Sequence, residues 1–321
     1  MRPQALAALL LAAVLTLTAR ALPKEPWLKA GDVVALVGGE NMVALAEEGW
    51  LETLVTWAQP GDRIRFRSLA WEGDTVFEQR RDLNYPALET QLDRMGATVV
   101  ICEFGKMESF AGKEGVAAFT EAYEKLLARL SGEKKRRIAL VLPTPFWPPL
   151  TGIAPLVLPD LTPRNAYLSA CLEAIRAVAG KCGARVLRRE SLPTLSPSQF
   201  PTRDGVHPIP GAEFPSGVIL AIDLEALSAN EDPGHQDPGY IKPVPVEKRA
   251  LRTAIAAKNR LWFHYTRPQN WAFLAGNRTN QPSSRDHLDP TRRWFPEEME
   301  QWLPLIEAKE KEIQALAAAP R

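Results

Sequence analysis

The sequence predicts an α/β protein: a doubly wound, flavodoxin-like parallel sheet of five strands in a three-layer α/β/α arrangement, with a mostly helical C-terminal extension. Three observations carry this expectation. From Asp32 onward, short apolar runs rich in Val, Ile and Leu alternate with helical patterns, as parallel strands covered on both faces do. The alternation continues through five strand and helix pairs without an internal repeat. After about Ala229 it stops, and Asn230–Pro245, rich in Pro, Gly, Asp and His, reads as a linker.

Taken in order, the strands are Val33–Gly38, Ile64–Trp71, Thr98–Phe104, Ile138–Pro143 and Arg185–Leu187. The helices between and after them are Met42–Ala58, Pro86–Met95, Val116–Leu130, Arg164–Cys182 and Gly211–Leu227. This places a sheet domain over 30–229, the linker over 230–245 and the extension over 246–321. Within the extension, a helix rich in basic and small residues from Val246 to about Phe263 precedes an aromatic and polar stretch, Tyr265–Trp294. A charged helix, Pro296–Ala318, ends it, with Glu307 and Lys311 at i,i+4 spacing. In a doubly wound sheet, ligands bind outside the C-terminal ends of the strands, so the segments that follow each strand hold the candidate chemistry.

Composition narrows the partners. The 321 residues are 45% hydrophobic and 24% charged, enough to bury a core, and the net charge of +1 offers no electrostatic footprint for nucleic acid or an anionic surface. The expected partner is a small molecule or a carbohydrate. At the N-terminus, Arg2, the Ala- and Leu-rich run Ala5–Thr18 and Ala19-Arg20-Ala21 have the form of a secretory signal over residues 1–21. The apolar run is shorter than the roughly 20 residues of a membrane span. The expectation is therefore a secreted or periplasmic protein cut after Ala21, with no membrane span afterwards. Cys102, Cys171 and Cys182 are odd in number, and each sits in an apolar context suited to a buried thiol. No CxxC, HExxH or Cys/His cluster is present, so neither a metal nor another cofactor is expected.

The strongest local signal is Thr202-Arg203-Asp204-Gly205-Val206-His207-Pro208, between the fifth strand and the last helix of the sheet domain. An Asp three residues before a His on a tight loop can accept the Nδ1 proton and leave Nε2 to face a substrate. Asp204-Gly205-Val206-His207-Pro208 resembles the last block of the SGNH (GDSL-type) hydrolases, whose Asp and His complete a Ser-His-Asp triad. Ser68-Leu69-Ala70-Trp71-Glu72-Gly73-Asp74-Thr75 resembles their second block, which implies that the Gly73 backbone N–H serves an oxyanion. Glu103-Phe104-Gly105-Lys106-Met107-Glu108-Ser109-Phe110 resembles the third. The blocks occur in family order across roughly Asp32–Leu227, and the resemblance implies hydrolysis of an ester, a carbohydrate ester among them.

Two departures fall on catalytic positions. The first block of the family reads Gly-Asp-Ser at the end of strand one, whereas this chain reads Val37-Gly38-Gly39-Glu40-Asn41-Met42. Aligned on Gly38, Glu40 takes the serine position; aligned on Gly39, Asn41 does. In the third block, Gly105-Lys106-Met107-Glu108 presents Met107 where the family has an Asn that donates to the oxyanion, and a thioether donates no hydrogen bond. Losing one such donor costs about 2.7–4 kcal/mol of transition-state stabilisation. Two readings follow: an esterase-like hydrolase with an atypical site built on His207, Asp204, Glu40 and Gly73, with Asn41, Gly105 and Met107 in the pocket, or an inactive binder of an extracellular carbohydrate. Ser68 and Ser109 lie off the strand-to-helix elbow and read as structural, and Glu108 reads as a support for neighbouring loops.

The aromatic run Leu261–Trp271 suits either a ligand platform or the packing of the extension onto the sheet domain. Arg278, Arg285 and His287 lie beside Asp286 and Asp289, as in structural ion pairs. The Asn259-Arg260-Leu261-Trp262-Phe263 and Arg267-Pro268-Gln269-Asn270 patterns resemble tails of exported SGNH-like proteins of the planctomycete and verrucomicrobial type.

Overall fold

The structure, a computed structural model, describes residues 26–81, 83–148, 159–188, 202, 204–207, 220–221, 223–224 and 246–319. Five parallel strands, β1 (Val33–Gly38), β2 (Arg65–Ser68), β3 (Val99–Glu103), β4 (Arg137–Leu142) and β5 (Arg185–Arg188), form one sheet in the order β2-β1-β3-β4-β5. This is the flavodoxin-like order expected from the alternation. The chain runs from β1 to β2 on one side and then back past β1 to β3, so the switch point lies between the C-terminal ends of β1 and β3.

Alternation along the strands makes the three layers. Val34, Leu36, Val99, Ile101, Ala139 and Val141 point to one face. They pack there against α1 (Glu40–Glu48) and α2 (Trp50–Ala58), and against Leu220, Ala221 and Leu224. Ala35, Val37, Val100, Cys102, Leu140 and Leu142 point to the other face, covered by α3 (Leu88–Arg94), α4 (Val116–Ser131) and α5 (Asn165–Cys182). At the N-terminal edge, the Asp32 carboxylate accepts from Arg137 Nη2 (2.5 and 2.6 Å), Thr98 Oγ1 (2.8 Å) and Lys29 N (2.6 Å). One side chain thus gathers the starts of β1, β3 and β4.

Several expectations need correction, among them the single helix expected over Pro296–Ala318, which is interrupted at Gln301 between helices Trp294–Glu300 and Trp302–Ala318. The helix expected over Met42–Ala58 is two helices, because Gly49 adopts φ 69° and its N–H closes α1 on Leu45 O, a left-handed cap that turns the chain. Cys102 and Cys171 are buried, but Cys182, the last residue of α5, is exposed. The stretch Tyr265–Trp294 contains a further helix, and Arg292, not Arg278 or Arg285, is the arginine paired with Asp286 (3.5 Å). Of the expected helix Gly211–Leu227, only Leu220, Ala221, Asp223 and Leu224 are described; residues 1–21 and 230–245 lie outside the described residues.

The extension comprises α6 (Val246–Thr266), α7 (Trp271–Leu274), α8 (Trp294–Glu300) and α9 (Trp302–Ala318). Helix α6 packs against α1, α2, β2 and α9. Its anchor is Lys258, fully buried, whose ammonium donates to Glu52 Oε1 (2.6 Å) and Oε2 (2.8 Å) and to Phe66 O (3.0 Å). Trp262 Nε1 donates to Ser68 O (2.8 Å), and Tyr85 packs its ring on Trp271 with centroids 4.6 Å apart. These aromatics join the extension to the sheet domain. Burial pushes Glu52 up and Lys258 down, and their mutual attraction opposes both shifts.

Removing one partner strands a charge in the core. Lys258→Met is expected to destabilise the protein by about 3–5 kcal/mol in urea unfolding, and the double variant Glu52→Leu/Lys258→Met to recover most of that loss. A neutral effect of the single change would refute the anchoring role.

Candidate functional site

The site lies at the switch point. Gly38 ends β1 with φ 147°, opposite Glu103 in the β1–β3 register, and a Cβ there would sit 2.6 Å from Glu103 O. Only glycine permits that approach. Gly39 follows as the N-cap of α1, and a Cβ on it would lie 3.1 Å from Asp74 O. The chain therefore leaves the strand and enters the helix in a single residue, and Glu40 is presented as the first residue of α1. Its carboxylate also lies at the positive end of the α1 dipole.

The elbow sends the two candidate side chains to different partners. Glu40 Oε1 lies 3.0 Å from His207 Nε2. Asn41 turns away: its side chain is buried, and Nδ2 donates to Glu103 Oε1 at 2.7 Å. Sequence reasoning gives Glu103 no role; its position at the end of the strand beside β1 is the signal that assigns one.

His207 is held from its other side by Asp204, whose Oδ2 contacts Nδ1 and whose Oδ1 accepts from the backbone N–H of Val206 (3.0 Å) and His207 (2.8 Å). The loop is fixed in turn. Gly205 N donates to Thr202 Oγ1 (3.1 Å), and Trp147 N donates to Gly205 O (3.3 Å). Phe146 N donates to Asn165 Oδ1 (2.8 Å) while Asn165 Nδ2 donates back to Phe146 O (3.0 Å). The first residue of α5 thus sets the segment on which the histidine loop rests. Burial works to raise Asp204, but the backbone N–H groups and imidazole that it faces outweigh this and hold its carboxyl below the ordinary range.

Glu40, Asn41, Asp74, Gly105, Met107 and Val206 are among the residues around a shallow depression of about 30 Å³. Met107 is half exposed at its rim. Asp74, rather than Gly73, borders it; Gly73 adopts φ 82° in the turn where Asp74 N donates to Trp71 O. Gly105 is also in the left-handed region (φ 114°), with its would-be Cβ 3.1 Å from Ile175 Cδ1. Its N–H donates to Glu108 Oε2 (2.7 Å), and Val76 N donates to Glu108 Oε1 (2.8 Å). Glu108 therefore ties the segments after β2 and β3 together, while burial raises its carboxyl against both bonds. Ser109 Oγ donates to Lys106 O (2.6 Å), and Ser68 Oγ accepts from Ala70 N (3.3 Å). Both hydroxyls serve the backbone.

The fold is similar, at low identity, to those of several solved hydrolases and esterases. LAE5, an α/β hydrolase from the metagenome of Lake Arreo, matches with 18% identity and a TM-score of 0.46 over 64% of this chain and 100% of its own. A variant of the acetyl xylan esterase Axe2 from Geobacillus stearothermophilus matches with 16% identity and a TM-score of 0.45 over 62% and 96%. A lipase/acylhydrolase from Enterococcus faecalis gives 18% and 0.43 over 60% and 95%. No family model matches the sequence, and no curated protein does.

Two outcomes check this construction. Glu108→Gln turns an amide NH2 toward one of two backbone donors and is expected to cost about 1–3 kcal/mol in thermal or chemical unfolding; an unchanged midpoint would remove Glu108 from the frame. Because the folded Asp204 carboxyl titrates below its ordinary 3.8, its stabilisation is present above that value and is lost as pH falls through the lower folded value. Carboxyl NMR titration is expected to place its midpoint below 3.8, and a midpoint above it would contradict the geometry.

Proposed function

We propose that this chain is an SGNH-like hydrolase that cleaves a carboxylic ester of a small molecule or carbohydrate, outside the cytoplasm, without a serine acyl-enzyme. The observation that carries this reading is the line Glu40–His207–Asp204, in which the 3.0 Å contact joins a carboxylate at the elbow to the outward nitrogen of the imidazole. Glu40 is a poor nucleophile toward an ester carbonyl. Its attack would give a tetrahedral intermediate that expels the carboxylate, a far better leaving group, in preference to an alkoxide. Water is therefore the attacking species, and the Glu40–His207 pair accepts its proton. Asp204 fixes the ring orientation through Nδ1.

The same observations bound the rate. Met107 supplies no donor and Asn41 Nδ2 spends a hydrogen on Glu103, so the side-chain donors that an oxyanion would use are reduced at both positions. Each missing donor is worth about 10²–10³ in turnover, which makes this a slow enzyme. The missing donors also favour a second reading, in which the depression binds its ligand without turning it over. Ligand-dependent thermal shifts without product would identify that case.

A panel of acyl esters and acetylated sugars separates the two readings. Hydrolysis is expected to fall by about 10²–10⁴ in His207→Ala and in Glu40→Gln, with both variants still folded. Turnover that survives both changes, or none in the unaltered protein, would overturn the hydrolase reading.

A further inference from the structure

The leaving-group argument that bars Glu40 from attacking an ester carbonyl reverses at a tetrahedral carbon. There a carboxylate displaces a group that departs as a stable anion and is left as an alkyl ester, a common form of covalent intermediate. We infer that the Glu40–His207–Asp204 line also hydrolyses small primary alkyl halides, with Glu40 as nucleophile and His207 as the base that frees the product. The inference uses the triad of the preceding reading but a different electrophile.

Four features support it. Glu40 stands at the strand-to-helix elbow with its side chain 37% exposed, open to a substrate while still in contact with His207. With Oε1 engaged by Nε2, Oε2 is the attacking oxygen. Displacement at a tetrahedral carbon develops no oxyanion, so Met107, which weakens acyl transfer, is no handicap in the first step. Phe104, Met107 and Val206 lend the shallow depression apolar surface against which a short alkyl chain can lie.

The steps balance. Glu40 Oε2 forms a bond to the carbon as the carbon–halogen bond breaks, and the halide leaves with the electron pair. Esterification takes the carboxylate charge away from Nε2 and leaves that nitrogen available as a base, and the one proton released per cycle passes to solvent. His207 Nε2 then takes a proton from water, whose oxygen attacks the Glu40 carbonyl carbon. Collapse expels the alkoxide, which takes the proton from His207, and Glu40 is regenerated carrying one oxygen from water. The sum is alkyl halide plus water giving alcohol, halide and a proton.

The test uses the full chain and 1-bromobutane, in a Cys182→Ser background because that thiol is exposed and would itself be alkylated. Bromide release is expected in this protein and not in Glu40→Gln. Folded His207→Gln is expected to accumulate one butyl group on the peptide that contains Glu40. A single turnover in ¹⁸O-water, with enzyme in excess, is expected to place the label in the Glu40 carboxylate. Label in the butanol of that first turnover, bromide release that survives Glu40→Gln, or no butyl group on Glu40 would overturn the inference. The single-turnover readout stands even if His207→Gln fails to fold. Acyl-ester hydrolysis without alkylation would retain the preceding reading and discard this one, and alkylation without ester hydrolysis would do the reverse.

Discussion

The site depends on how closely β1 and β3 approach at their C-terminal ends. Gly38 lies against the Glu103 carbonyl, where a Cβ would stand only 2.6 Å away. That approach lets the chain turn from strand to helix within one residue, so Glu40 emerges directly above the C-terminal end of β1 as the first residue of α1. It also brings the Glu103 carboxylate within reach of Asn41 and so decides which of two adjacent polar residues faces the histidine. A substituted Gly38 would disturb the strand pairing, the floor of the depression and the Glu40–His207 contact together.

The partners of the elbow are held by buried polar bonds more than by apolar packing. Glu108 joins the segments after β2 and β3, Asn165 grips the segment after β4, and Gly205 lies against that segment with its would-be Cβ 2.8 Å from Trp147 O. Each bond is made by a buried or half-buried group whose loss leaves a backbone donor or acceptor unpaired. The depression is consequently a preformed feature of the fold. Glu40 and Met107 are the side chains that this frame presents at the positions where the sequence resemblance implies a serine and an asparagine.

The sheet was legible because strand residues alternate between two helix-covered faces, and Val33–Gly38 was readable to its last residue. The break at Gly49 was less visible, since the apolar pattern runs on through Trp50, Leu51 and Leu54 while only the backbone turns. At the site, Asp204 and His207 were legible from their three-residue spacing together with the position of their loop after the fifth strand. The choice between Glu40 and Asn41 was not, because it is made by Glu103, 62 residues further on and across the sheet. Cys182 looked apolar in sequence, but its burial depended on which side of the last turn of α5 faced the core.

Helix α6 covers α1, α2 and the edge strand β2, and α9 packs on α6, so Glu52 and Trp57 belong to a surface that the extension completes. Without α6, Glu52 lacks the buried cation that neutralises it, and one flank of the sheet domain keeps apolar surface open to water. The extension is in this sense a cover fastened by a buried ion pair, and cutting it away would expose a charge and an apolar face together.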